Sequence, residues 1–356
     1  MITVALPIWN SKEIAWLPME GLCRQQVNED WELLIVEEKH ETQTGAEFFE
    51  NYWERLKAAG CVRLVYIELE YWINLPKKWQ IMANKAAGDV FCLQAADCYP
   101  DKERLARARE GLKKGHWTQD EKGHFYRVGM DRLIQWVQPK SGPFRTGLNM
   151  ALRTELIRDL PDVSLNRGID HWMLSHIDKK VKTVIHTNPG DFGSLDVDGV
   201  NNISTTRAVY FSRIVEPFEK AKKTLEEIMP DLADRLRDTK PKEHYINGKL
   251  NNKIMPKRVL LREYQNYHKG DEIQVSACKA AQLEALGIVK QHVQVSRTII
   301  HEKIQKNENS KDAEKHGRVP ERPSSNDTGQ RGEVPARPAS VRSTVKKKRK
   351  APAKRK

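Results

Sequence analysis

Residues 2–10, ITVALPIWN, open the chain with an apolar run that ends in Pro7-Ile8-Trp9-Asn10, and the reading of this stretch decides the fold. Three later runs share its form: WELLIV at 31–36 followed by Glu37-Glu38, VRLVYI at 62–67, and VFCL at 90–93 followed by Gln94-Ala95-Ala96-Asp97. Short apolar runs without alternation suit strands buried on both faces. Between them lie amphipathic segments at 14–26, where Pro18 delays the start of the helix, at 46–59, and at 79–87, with Gly88 as a stop. Strands alternating with helices predict βαβ units around a mostly parallel sheet.

Outward from this block, 102–113 reads as a charged surface helix and 116–128, centred on Glu121-Lys122-Gly123, as a hairpin. Residues 148–160 and 169–177 read as helices and 181–186 as a strand. The Gly-, Asn- and Asp-rich stretch 187–204 reads as a long loop, either a lid or a plain surface loop. Residues 217–237 read as one charged helix. Residues 258–295 read as three strands with a Lys269-Gly270-Asp271 turn and a short helix. The expected organisation is an α/β domain over 1–215, a helical linker over 216–255, a small β-rich SH3-like module over 256–300, and a disordered basic tail over 301–356.

The net charge of +13 is unevenly spread, because residues 301–356 hold 17 Lys and Arg against 7 Asp and Glu, or +10. That tail is rich in Pro, Ser, Lys and Arg, so it lacks the apolar surface to offset its ordering entropy. It suits a polyanion such as nucleic acid, bound by counterion release, and equally an import signal or a solubilising tail. No run approaches the ~20 apolar residues of a membrane span, and MITVALPIWN lacks the form of a signal peptide. Five cysteines without zinc-pair spacing read as reduced thiols, so a cytoplasmic location is expected.

In open parallel sheets ligands bind beyond the carboxyl ends of the strands, which directs attention to Pro7, Trp9, Asn10, Glu37, Glu38, Gln94 and Asp97. Here the chain resembles the family 2 glycosyltransferases of the GT-A fold. Pro7 to Asn10 is similar to the family's Pro-x-Tyr-Asn-like turn, and Glu37-Glu38 to its paired acids. NKAAGDV at 84–90 resembles its approach to the fourth strand, LQAADCYPDKERL at 93–105 its Asp-x-Asp segment, and GPFRTGLNMALRTELI with NRGIDHWML its acceptor side. The resemblance spans roughly residues 1–190 and extends to a phage-type setting, where the host cytoplasm and modified DNA as acceptor would suit the tail.

The resemblance implies a nucleotide-sugar donor, UDP-linked by expectation, an acceptor hydroxyl and inversion. Asp170 would be the general base, with His171 beside it as the alternative, although an Asp at a helix start is also an ordinary cap. Glu37 and Glu38 would accept hydrogen bonds from the nucleotide, or else form a solvated acidic turn. Trp9 and Trp172 suit ring stacking or core packing alike.

A departing diphosphate needs positive charge, and Mn²⁺ or Mg²⁺ often binds through one carboxylate plus substrate phosphates. Asp97 is the candidate metal ligand, or a helix-capping acid. His186 is a second candidate ligand, a phosphate contact, or a strand-end histidine. Where the family has two or three acids, this chain has Gln94, Ala96 and Asp97 alone. That thinning, with the tail, supports the alternative of a catalytically degenerate GT-A-like binding protein for a polyanion such as DNA.

Overall fold

The computed structural model describes residues 1–137, 149–161, 169–177, 184–200, 218–240, 257–260, 272–274, 289–291 and 295–302. The predicted strands form β1 (Ile2–Ile8), β2 (Trp31–Glu38), β3 (Cys61–Leu69) and β4 (Val90–Leu93). They pair in parallel in the order β3-β2-β1-β4. The helices between them are α1 (Trp16–Leu22), α2 (Ala46–Glu50), α3 (Trp53–Ala58) and α4 (Leu75–Lys85). Pro18 lies inside α1 because the first turn of a helix needs no donor from it. Asn74 caps α4 by accepting from Lys77 N at 2.9 Å.

Alternate residues of these strands enter two cores. Val4, Leu6, Leu33 and Ile35 pack on one face with Met19, Phe49 and Leu56, and with Leu105 and Leu112 of α5 (Arg104–Lys114). Ala5, Leu34, Val36, Val65 and Ile67 pack on the other with Trp79 and Met82 of α4, Leu156 and Ile157 of α6 (Thr154–Arg158), and Met173 of α7 (Ile169–Ile177). The result is a three-layer α/β/α arrangement whose central strands read as continuous apolar runs because both faces are covered.

Beyond β4 the sheet continues through β9 (Ala151–Arg153), β6 (Trp117–Asp120) and β10 (Val184–Thr187), and beyond β3 it ends in β16 (Val295–Glu302). Only β9 and β16 run against the rest. The α/β, mostly parallel expectation therefore holds. Residues 295–302, read from sequence as the end of the C-terminal module and the start of the tail, are an edge strand on β3, with Ile299 opposite Tyr66.

A second sheet has the order β12-β8-β7-β11-β5, from β5 (Cys98–Tyr99), β7 (Lys122–Arg127), β8 (Arg132–Val137), β11 (Leu195–Asp198) and β12 (Phe218–Lys220). Its core takes Tyr99, Tyr126, Leu195 and Val197 against Trp16, α8 (Leu225–Ile228) and α9 (Ala233–Arg237). Strands β13 (Lys257–Leu260), β14 (Glu272–Gln274) and β15 (Val289–Gln291) pair antiparallel in the order β14-β13-β15.

Four local expectations change. The hairpin is β7-β8, turning at Gly129 and Asp131 with φ of 79° and 43°, because β6 and β7 join different sheets. The helix read over 148–160 begins only at Thr154, since residues 151–153 fill the gap between β4 and β6 as β9. The loop read over 187–204 contains β11. The single helix read over 217–237 is β12 and two short helices: the Thr224–Glu227 capping box starts the first, and the two are divided where Met229 leaves helical geometry before Pro230. Of the linker read over 216–255 only 218–240 is described, and the tail from 303 lies outside the described residues. No helix among the described residues is long and apolar enough to cross a membrane.

Candidate functional site

The carboxyl ends of β2, β1 and β4 lie side by side, so the order of the sheet brings the Glu37-Glu38, Pro7-to-Asn10 and Gln94-to-Asp97 segments to one rim. Asn10 has a left-handed backbone with φ of 49° and accepts from Thr42 Oγ1, joining the loops after β1 and β2. The Thr42 hydroxyl also lies 2.8 Å from His40 Nδ1. Pro7 pairs with Val36, and the Trp9 carbonyl accepts from Ser11 Oγ at 2.8 Å; both Pro7 and Trp9 are half-buried.

The paired acids are inside the protein. Glu37 Oε1 accepts from Thr44 N at 2.7 Å, while Oε2 accepts from Gly45 N at 3.0 Å and Tyr66 Oη at 2.9 Å. These bonds anchor the loop after β2, and burial together with the Glu37 charge pushes the Tyr66 phenol pKa up. Glu38 Oε2 accepts from Lys78 Nζ at 2.7 Å, and Oε1 from Ile73 N at 3.3 Å. Lys78 Nζ also donates to the Ile8 carbonyl at 2.8 Å, tying the end of β1 to α4. Burial raises the pKa of the Glu38 carboxyl, against the opposing pull of Lys78. Both carboxylates thus hold rim loops in place.

Gln94 is buried as well. Its amide donates to the Ala95 and Cys98 carbonyls at 2.8 and 2.7 Å and accepts from Arg104, which also donates to the Leu93 carbonyl. The turn that follows is therefore clamped, leaving Ala95 exposed and Asp97 half-buried. The Asp97 carbonyl accepts from Val197 N at 2.8 Å, and Asp196 pairs opposite Cys98, so β11 brings Asp196 beside Asp97. Asp196 opens the DVDGVNN stretch of the 187–204 segment read as a lid or loop, and nothing in the sequence ties it to Asp97, about a hundred residues earlier.

His186 lies at the end of β10, exposed, with Nδ1 3.4 Å from Gln119 Nε2. It belongs to the edge strand of the sheet, three strands from β4. Among the described residues no group of three His, Cys, Asp or Glu side chains is placed to hold a metal ion. Asp170 and His171 fall in α7, as expected, and their side chains lie outside the described residues. Trp172 is half-buried against the core, 4.6 Å ring to ring from His176.

A charge network on the same rim was missed from sequence. Asp120, at the end of β6, accepts from Arg107 Nε and Nη2 at 3.2 and 2.9 Å, Asn149 Nδ2 at 2.6 Å and Thr187 Oγ1 at 2.7 Å. Arg107 also holds Asp101 in a two-pronged pair at 2.6 and 2.5 Å. Burial opposes the Arg107 charge, but Asp101 and Asp120 outweigh it and raise its pKa. The network joins α5, β6, β10 and the entry to β9.

No family model and no curated protein matches this chain. Among solved structures it is similar to S. aureus TarS, at 14% identity over 56% of this chain and 37% of that one, with a TM-score of 0.43. A 1–349 piece of TarS in complex with UDP-GlcNAc is matched at 13% identity over 56% and 59%, TM-score 0.43. The mannosyltransferase PcManGT from Pyrobaculum calidifontis, in complex with GDP-Man and Mn²⁺, is matched at 15% identity over 68% and 65%, TM-score 0.43. The chain thus spans little more than a third of the longer TarS chain and under two thirds of its 1–349 piece.

Proposed function

We propose that this protein is a glycosyltransferase that moves a sugar from a nucleotide-sugar donor to an acceptor hydroxyl. The observation that carries the reading is the meeting of three family-like segments, 7–10, 37–38 and 94–97, at one rim of a parallel block. That rim is where open α/β sheets bind nucleotides. The donor would be UDP-linked, seated over the loops after β1 and β2, with Trp9 and Asn10 facing the nucleoside.

Asp170 would take the proton of the acceptor hydroxyl. The acceptor oxygen then bonds to the anomeric carbon from the face opposite the leaving group, the bond from that carbon to the phosphate oxygen breaks, and the nucleoside diphosphate departs. His171 is the alternative base. A divalent cation, Mn²⁺ or Mg²⁺, fits an oxygen donor set in which Asp97, with Asp196 beside it, is completed by phosphate oxygens, and it would neutralise charge on the departing diphosphate. His186, on the edge strand three strands from β4, is left out of that set. The organisation into a transferase domain over 1–215, a linker, a β-rich module and a nucleic-acid-binding tail is part of the same proposal.

The test is a panel of nucleotide sugars assayed for donor hydrolysis with and without Mn²⁺, using the wild type and Asp97→Ala. One sugar should be turned over, with loss in the variant. Calorimetry that finds no UDP binding with or without Mn²⁺ would defeat the proposal in favour of a non-catalytic binding protein.

A further inference from the structure

Arg104 is only 2% exposed, directly beneath the carboxyl end of β4. Among the described residues its guanidinium donates only to neutral acceptors, Gln94 Oε1 and the Leu93 carbonyl, and its Nε has no hydrogen-bond partner. Arg107, one turn along α5, is by contrast saturated by two carboxylates. A buried guanidinium without a counter-charge is costly, because desolvation is not offset by an ion pair. It also stands in the first turn of α5, which has no acidic residue, where the helix dipole opposes a cation. Stability alone would favour an apolar residue or a paired one, so the position calls for an anion supplied from outside.

The surroundings specify where that anion would lie. Arg104 holds Gln94, and Gln94 in turn holds the Ala95 and Cys98 carbonyls, so the charge sits under the 94–97 turn. We propose that Arg104 is the fixed positive charge of a diphosphate-binding site at the carboxyl end of β4, acting from beneath the Gln94–Asp97 turn. The nucleotide part of the ligand rests on the glycosyltransferase reading; the diphosphate part does not. A fixed charge here supplies part of what a cation supplies, so diphosphate binding persists when divalent metal is chelated.

The test is calorimetry on the full chain with inorganic pyrophosphate, UDP and uridine, each in EDTA and in Mn²⁺, for wild type, Arg104→Met, Arg104→Lys and Gln94→Glu. Wild type should bind pyrophosphate and UDP in EDTA. Arg104→Met should weaken both roughly tenfold or more and leave uridine unchanged, as loss of one nearby charge requires. Arg104→Lys should retain part of the affinity. Gln94→Glu sets a carboxylate against the guanidinium, so it should raise the melting temperature while weakening pyrophosphate as Arg104→Met does; this variant carries the test if Arg104→Met does not fold. Wild type that binds pyrophosphate under neither condition, or equal weakening of uridine and UDP, would overturn the proposal. Binding of pyrophosphate but not of UDP would instead sink the nucleotide-sugar reading and leave the role of Arg104 standing.

Discussion

Lys78 and Glu38 form a buried ion pair, Nζ to Oε2 2.7 Å, with side chains 4% and 2% exposed. The pair joins α4 to β2, and through the Ile8 carbonyl to β1, at the rim where the donor is proposed to bind. Removing one partner strands the other charge. Lys78→Met should cost about 3–5 kcal/mol in urea unfolding, and adding Glu38→Gln to it should recover most of the loss. A cost below about 1 kcal/mol for the single variant would show that Glu38 is not charged in the folded protein.

Asp120 receives hydrogen bonds from three side chains on three segments, so its loss should be felt at once by α5, β9 and β10. Asp120→Ala should destabilise by about 3 kcal/mol or more. Asp120→Asn should cost less, since an amide oxygen still accepts from Thr187 or Asn149. Chemical denaturation of the two variants side by side would measure the difference, and equal costs would argue against a charge-based network.

His124 is buried with neither ring nitrogen hydrogen-bonded among the described residues, and its ring lies 5.4 Å from that of Phe192. Burial, aided by repulsion from Lys223 and Lys122, lowers its pKa to about 4. The unfolded chain takes up this proton near pH 6.5 and the folded protein only near pH 4, so stability falls as pH drops through that window. Between pH 7 and pH 5 the loss from this group should be about 2 kcal/mol. His124→Leu should remove that part of the pH dependence in urea unfolding; an unchanged pH profile would remove His124 as its source.

Asp170→Asn tests the proposed base. Transfer should fall by roughly two to four orders of magnitude while calorimetric UDP affinity stays at the wild-type level. Full transfer activity in the variant would move the role elsewhere, with His171→Ala as the next measurement.

Much of this protein is local and therefore legible in its sequence. Ile2–Ile8, Trp31–Glu38, Cys61–Leu69 and Val90–Leu93 announce themselves because strands covered on both faces need unbroken apolar runs, and Ile169–Ile177 follows from its helical spacing. Gly88 stood out for a different reason from the real one. Helix α4 ends at Lys85, and Gly88 is needed because a Cβ there would lie 2.6 Å from Thr3 Oγ1 and 2.7 Å from the Met1 carbonyl.

The sequence alone determined the parallel block and the segments that reach its carboxyl rim, because period and composition act over neighbouring residues. Only the tertiary structure decided what those segments do there. It turned Glu37 and Glu38 inward onto Thr44, Tyr66 and Lys78, set Asp196 beside Asp97, and left Arg104 buried with no ion pair among the described residues. The physical reason is that charge pairing and desolvation depend on distances through space between residues remote in the chain, which no local pattern encodes.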